Sequence, residues 1–353
     1  MRNLCLHLLL LFTLSGCCIH EWPELEIKEP EENIVPVLLH LRYYPDIWLW
    51  EHLYDPKTGE IVEAHGDEAV DEEHPGTTAR YSGQCDHGTM RYLLRFYRPG
   101  KVESYTQEVS FTRNVDGGYN CDTILYLKPG RYDVAVWSDL YESKEDELFY
   151  NADNFLKICL QLDNYRACTD YRDAYRGYQQ ISIMSDEEAD GTQEAFIDMR
   201  RPQAKYEFVT TDLSEFLDNE TTRRQLPTRA KAEDYTVKMV YAGYLPSAYS
   251  AIDDRLVDSS TGLSFTSSLT VTGESEESMG FDFVMINDIP NAATSMQVQV
   301  FDMQGDMVAV SMVIPVPLRR NHHTLLRGAF LTLGGKGGVY IDPTYDGDYN
   351  VFF

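Results

Sequence analysis

The sequence predicts an all-β protein made of two antiparallel β-sandwiches in tandem, and three observations predict it. Apolar residues recur at every second position through most of the chain, turn-forming Gly, Pro and Asp interrupt these runs at short intervals, and no amphipathic helical stretch intervenes between them. A length of 353 residues suits two cores rather than one. A parallel α/β sheet fits this pattern poorly. No short-period repeat is present either, which disfavours a solenoid or a propeller.

The chain opens with a leader. Met1-Arg2-Asn3 is followed by an apolar stretch from Leu4 to Thr13 and then by Leu14-Ser15-Gly16-Cys17. One basic residue, a short apolar core and small residues before the cut make residues 1–16 a signal peptide, too short to span a bilayer of about 30 Å. Leu14-Ser15-Gly16-Cys17 matches the bacterial lipobox, so Cys17 is expected to be acylated and to become the first residue of the mature chain. Each buried lipid methylene contributes about 0.8 kcal/mol, so two or three acyl chains hold a protein on a membrane where one binds marginally. Residues 17–33 then carry six glutamates and two prolines with little to pack, as expected of an extended acidic tether.

From Val35 the period is two. Val37, Leu39 and Leu41 alternate with Leu38, His40 and Arg42, and further strands are expected at Val109/Phe111, Ile124/Tyr126 and Tyr132/Val134/Val136. Asp116-Gly117-Gly118 and Lys128-Pro129-Gly130 are turns between them. The stretch Asn154 to Leu162 is open between strand and short helix. Phe196 to Met199 reads as the last strand of a first sandwich, residues 34–200, because Arg200-Arg201-Pro202 breaks the ladder there. A second sandwich over residues 201–353 has a helical turn at Leu213 to Leu217. Its strands are expected at Val237/Met239/Tyr241, Leu269/Val271, Phe281/Phe283/Met285, Met296/Val298/Val300 and Val308/Val310.

The formal charge of −27 argues against nucleic acid as a partner, since the overall field repels a polyphosphate chain. Cleavage removes Arg2 and no acid, so the mature chain is more negative still. Five cysteines remain once Cys5 leaves and Cys17 is acylated. Cys85/Cys121 or Cys159/Cys168 pairs are permitted in an exported protein, as are free thiols on strands, with Cys18 left over in either case.

Catalytic motifs are missing: there is no Gly-x-Ser-x-Gly, His-Glu-x-x-His, Gly-x-Gly-x-x-Gly or Cys-x-x-Cys. Gly334 to Gly338 lacks the spacing of a phosphate loop and is expected to be a flexible turn. His322-His323 is expected to be a surface or loop pair, and Asp342, Asp346 and Asp348 lack the spacing of a calcium loop. No enzyme, cofactor or metal is expected. The aromatic run Tyr43, Tyr44, Trp48 and Trp50 is the one group that could stack on sugars or form an interface, with core packing as the competing reading.

Several segments, in order, resemble the fimbrial anchor lipoproteins of Bacteroides and Porphyromonas. They are Pro129-Gly130-Arg131-Tyr132-Asp133-Val134-Ala135-Val136-Trp137-Ser138-Asp139; Arg172-Asp173-Ala174-Tyr175-Arg176-Gly177; Arg201-Pro202-Gln203-Ala204-Lys205-Tyr206; Pro317 to His322 with Arg327 to Thr332; and Ile341 to Asp348. The resemblance implies transthyretin-like sandwiches in a non-enzymatic subunit at the base of a fimbria, lipid-anchored to the outer membrane through Cys17, with fimbrial pilin subunits as partners. Polymerising relatives lose a first strand to a protease and open a groove. A chain lipidated at that end is expected to keep its groove filled and to offer its C-terminal segment, with Val339, Ile341, Val351 and Phe353 as the contact residues. The alternative expectation is a surface glycan-binding lipoprotein using the Tyr43 to Trp50 run.

Overall fold

Alternation becomes pairing in the first strand after the tether, β1 (Val35–Tyr43), where Val35, Val37, Leu39 and Leu41 are at most 1 % exposed. The computed structural model describes residues 34–63, 79–82, 85–116, 118–143, 148–185, 192–269 and 276–332, the strand at 79–82 by its backbone alone. After β1 come β2 (Asp46–Tyr54), β3 (Ile61–Glu63), β4 (Ala79–Ser82), β5 (Thr89–Arg98), β6 (Lys101–Asn114), β7 (Cys121–Leu127) and β8 (Gly130–Tyr141). The short β9 (Tyr150–Asn151) and β10 (Ile158–Leu160) lead to β11 (Ala174–Ile183), β12 (Gln193–Met199) and β13 (Gln203–Thr210). A helix, α1 (Leu213–Arg223), precedes β14 (Tyr235–Tyr241), β15 (Leu245–Ser250), β16 (Arg255–Ser260), β17 (Ser264–Ser268), β18 (Glu277–Met285), β19 (Ala293–Asp302), β20 (Met307–Val310), β21 (Ile314–Pro317) and β22 (His322–Gly328). The all-β expectation holds.

The first sandwich faces a sheet ordered β12-β1-β7 against one ordered β11-β8-β5-β6. Its core joins the β1 side chains to Met90, Tyr92, Leu94 and Phe96 of β5, Val134 and Val136 of β8, and Ile197 and Met199 of β12. Burying the four β1 aliphatics contributes roughly 6–12 kcal/mol at about 1.5–3 kcal/mol each, an upper estimate because the unfolded chain is partly compact. The second sandwich sets β18-β13-β22-β2-β3, with β4 on the edge of β2, against β17-β14-β19-β20, with β21 also on β19. Helix α1 buries Leu213, Phe216, Leu217 and Glu220, a spacing that gives one helical face, and the Phe216 ring meets Tyr235 at 5.0 Å. It runs past the expected turn at Leu213 to Leu217, and Glu220 extends the buried face by another turn.

Residues 34–200 do not stay in one sheet system. Strand β2 leaves the first sandwich at Tyr44-Pro45 and lies parallel to β22, its Trp48 opposite His322 and its Tyr54 opposite Gly328. Strand β10, the open stretch of the sequence, pairs Ile158 with Tyr249 of β15. The two cores also share a wall. In β8, Val134 and Val136 face the first core while Ala135 and Trp137 face the second, which is why this strand is buried on both sides. An ordinary half-buried sheet would alternate with polar residues here. The run Tyr132 to Asp139 hardly does.

Candidate functional site

The shared wall brings charge into the interior. Ala174, Arg176 and Tyr178 of β11 continue outward from Arg172 and Asp173, and these two residues are each 1 % exposed. Arg172 Nη1 lies 2.9 Å from Asp282 on β18 and its Nη2 donates to the Phe283 carbonyl at 3.2 Å. The Asp282 carboxylate also accepts from Tyr165 at 2.5 Å, Tyr241 at 2.6 Å and the Phe283 backbone N–H at 2.7 Å. Burial pushes the Asp282 carboxyl up, and Arg172 with the two tyrosines pulls against that shift.

A second node is Arg201, fully buried, which meets Asp173 bidentately at 2.7 and 2.8 Å and stacks over Tyr175 at 5.0 Å. The same guanidinium donates to Asn321 Oδ1 at 2.5 Å and to the Pro45 carbonyl at 3.1 Å. It therefore ties together three crossings: the β1–β2 link, the start of β11, and the β21–β22 link. Asn321 sits at φ +60°, a left-handed conformation that asparagine tolerates, and its amide donates to the Asp46 carbonyl at 2.9 Å. Gln203 adds bonds to the Ala174 N–H at 3.0 Å, Tyr150 Oη at 2.5 Å and the Arg172 carbonyl at 3.0 Å. Arg91 holds the fully buried Asp139 at 2.7 and 2.9 Å, and burial pushes that carboxyl up against the arginine's pull.

Gly177 completes the arrangement. A Cβ there would lie 2.6 Å from both Ile197 Cγ2 and Met199 Sδ, so β11 and β12 approach as closely as they do only because the side chain is missing. The segments Tyr132 to Asp139, Arg172 to Gly177, Arg201 to Tyr206 and Pro317 to His322 thus meet in one place. Sequence reasoning quoted all four without a role for them. The available signal was an Arg or Asp inside an otherwise apolar strand, as in Phe281-Asp282-Phe283-Val284. Chemically the junction is nearly closed: apart from the buried Arg172 Nε, the donors and acceptors named above answer one another, which fixes the two cores in one orientation.

The aromatic run does not form a platform. Tyr43 is buried in the first core, sharing a 2.7 Å hydrogen bond with Ser138 and meeting Tyr92, Tyr119 and Tyr175 edge-on. Tyr44 points the other way, 53 % exposed, and donates to Asp198 at 3.2 Å. Trp48 and Trp50 are half-buried on the core-facing side of β2; Trp50 lies under the Arg319 guanidinium at 4.4 Å and donates to Glu63 at 2.9 Å. Adjacent strand residues face opposite ways, and the chain changes sheets between Tyr44 and Trp48.

His322-His323 is a correction: both are buried, on the central strand β22, not at the surface. His322 packs against Trp50, and His323 Nε2 lies 3.0 Å from Glu207. The cause is that β2 covers the outer edge of β22, which no local pattern shows. Cys85, Cys121, Cys159 and Cys168 are unbonded. Among the described residues no group of three His, Cys, Asp or Glu could hold a metal, and no helix is long and apolar enough to cross a membrane. Cys17, Val339, Ile341, Val351 and Phe353 lie outside the described residues, as do Gly334 to Gly338 and Asp342 to Asp348.

Where the described chain ends, Asp212 holds it. Its carboxylate accepts from the Leu331 N–H at 3.1 Å, the Thr332 N–H at 2.7 Å and the Thr332 hydroxyl at 2.7 Å, in place of capping α1.

Among solved structures, a candidate cell adhesion protein from Bacteroides eggerthii is 9 % identical with a TM-score of 0.43, over 88 % of this chain and 91 % of the other. A candidate adhesin from Bacteroides thetaiotaomicron is 11 % identical with a TM-score of 0.40, over 70 % and 85 %. The fimbrial anchor protein Mfa2 from Porphyromonas gingivalis is 12 % identical with a TM-score of 0.38, over 78 % and 82 %. No curated protein matches the chain. A family of unknown function matches the sequence over residues 64–352, and the chain belongs to that family, DUF6562.

Proposed function

We propose that this protein is a non-enzymatic structural subunit of a surface fimbria, an anchor or accessory subunit held to the outer membrane through lipid on Cys17 and joined to pilin by strand addition. The observation that carries the reading is the placement of β1. It is the first strand after the tether, it is bonded to β12 on one side and to β7 on the other, and its inward side chains are sealed in the core. Removing it would forfeit the roughly 6–12 kcal/mol of burial given above and, in an acylated chain, would cut the protein from its lipid. A subunit built this way keeps its own groove filled, receives no strand there, and ends a polymer.

Strand polarity supports the same reading. Pilin pulling on the C-terminal side and lipid holding the N-terminal side would load the chain between Ile34 and Thr332. Strand β22 is parallel to both β2 and β13, and β1 is parallel to β12. Opposed pulls on the parallel β2–β22 pair stress its hydrogen bonds together in shear rather than one at a time. The buried junction keeps the two cores from swinging apart under that load.

The test is removal of Tyr349 to Phe353 in cells that assemble the fimbria. The expected outcome is pilin shed into the medium while the lipoprotein stays in the envelope. Full retention of pilin would refute strand donation by the C-terminal segment. The sugar-binding alternative loses much of its support from the packing of Tyr43 and Trp50; oligosaccharide capture abolished by Trp48→Ala would restore it.

A further inference from the structure

In a chain with 57 acidic and 30 basic side chains, most described arginines sit against a carboxylate; Arg98 and Arg131, like Arg113 and Arg200, have none within ion-pair distance among the described residues, and these two share one site. Both line one cleft of about 620 Å3, together with Lys128, Thr106, Gln107 and Tyr132. Two turns build it: Arg98 to Lys101 between β5 and β6, and Lys128 to Arg131 between β7 and β8. The first is pinned by the Gly100 N–H donating to Asp133 Oδ2 at 2.9 Å, the second by Tyr132 Oη donating to the Lys128 carbonyl at 3.0 Å. The nearest buried acid, Asp133, spends its other oxygen on Gln180 at 3.0 Å.

This cleft lies at the pole where the N-terminal segment joins the fold. Val35 is opposite Leu127 in the ladder, so Lys128 neighbours Ile34. Beside it Ile34 and Tyr126 are 47 and 64 % exposed, an apolar and an aromatic side chain next to cations, and the Tyr126 carbonyl accepts from Gln107 of the cleft at 3.3 Å. Residues 17–33 span at most about 60 Å when extended, a limit on reach that lets the pole come down to the bilayer.

We propose that this pole docks on an anionic phospholipid surface, Arg98 and Arg131 taking headgroup phosphates in the cleft while Tyr126 and Ile34 enter the interfacial layer. Guanidinium matches phosphate in bidentate geometry, and tyrosine favours the membrane interface. The orientation argument rests on acylation of Cys17; the chemistry of the cleft does not.

The experiment uses the mature chain with Cys17→Ser, so that no acyl chain contributes, floated with phosphatidylcholine vesicles with or without phosphatidylglycerol. Capture is expected only on the anionic vesicles and is expected to fade as salt rises. Arg98→Gln with Arg131→Gln should weaken it about 25-fold, from about fivefold for each cation near an anionic surface, with an unchanged melting curve because both side chains are exposed. Equal capture of variant and parent, or no capture at all because acidic segments of the chain itself occupy the cleft, would overturn the proposal. Arginine-dependent binding of inorganic phosphate without vesicle capture would overturn it too, in favour of a soluble anion. Failure of the acylation reading registers separately, as an unmodified Cys17 peptide by mass spectrometry, and leaves the vesicle result standing.

Discussion

Two stretches of this chain are conspicuous for their chemistry, and the fold treats them oppositely. Arg172 to Gly177 mixes charge with aromatic rings and ends up inside, with Arg176 half-buried, answered by residues more than a hundred positions away, Asp282 and Phe283, and by Arg201. Tyr43 to Trp50 is the densest aromatic run and comes apart, with Tyr43 in one core, Tyr44 in solvent and Trp50 beneath Arg319. The difference lies in the backbone path. The first stretch enters a strand in the wall between two cores, where both faces are buried; the second straddles the point at which the chain passes from one sheet to another. Local density of functional-looking side chains is therefore a poor guide in this fold, and position relative to the shared wall is a good one.

The comparison breaks most sharply at the ion pairs. Asp173→Ala leaves the Arg201 guanidinium buried without its carboxylate, and Asp282→Ala does the same to Arg172; each is expected to cost about 3–5 kcal/mol in urea unfolding. Trp48→Ala, at a half-buried position of β2 between β22 and β4, should cost less. If Asp173→Ala costs under about 1 kcal/mol, the junction does not hold the cores together. Replacing both partners, Asp173→Leu with Arg201→Met, should recover much of the loss, since an apolar pair of similar volume removes the desolvation penalty along with the attraction.

Much of the fold follows from the sequence because strand alternation is a local property. Val37, Leu39 and Leu41, Met296, Val298 and Val300, and the break at Arg201-Pro202 all declare themselves over a few residues. The junction does not, because its partners are paired by topology. Nothing near His322 says that β2 will lie beside it, and nothing near Asp282 says that Arg172 will reach it. Gly177 is a middle case. A glycine inside a strand pattern signals close backbone approach, but only the fold names Ile197 and Met199 as what it approaches.

That close approach gives the next test. Gly177→Ala puts a methyl where Ile197 and Met199 already are and where the Asp198 carbonyl, 3.1 Å away, cannot yield as a side chain can. Overpacking of this kind costs about 1–3 kcal/mol. The comparison is sharpened by pairing it with Met199→Ala. If the clash is the cause, the double variant loses less than the sum of the two single variants. Additive losses would place the clash on Ile197 or the Asp198 carbonyl instead of Met199.

The smallest effect separates two neighbours. Tyr43→Phe removes one hydroxyl and leaves Ser138, which is fully buried, without that partner, so a loss of about 1 kcal/mol is expected. Tyr44→Phe removes a 3.2 Å bond to Asp198 at a site more than half exposed, where water replaces it, and the expected change is within about 0.5 kcal/mol. Urea midpoints at constant slope measure both. Equal losses would mean that Tyr44 is covered in the folded protein by something beyond the described residues, and the outward face of β1 and β12 would then be an interface rather than free surface.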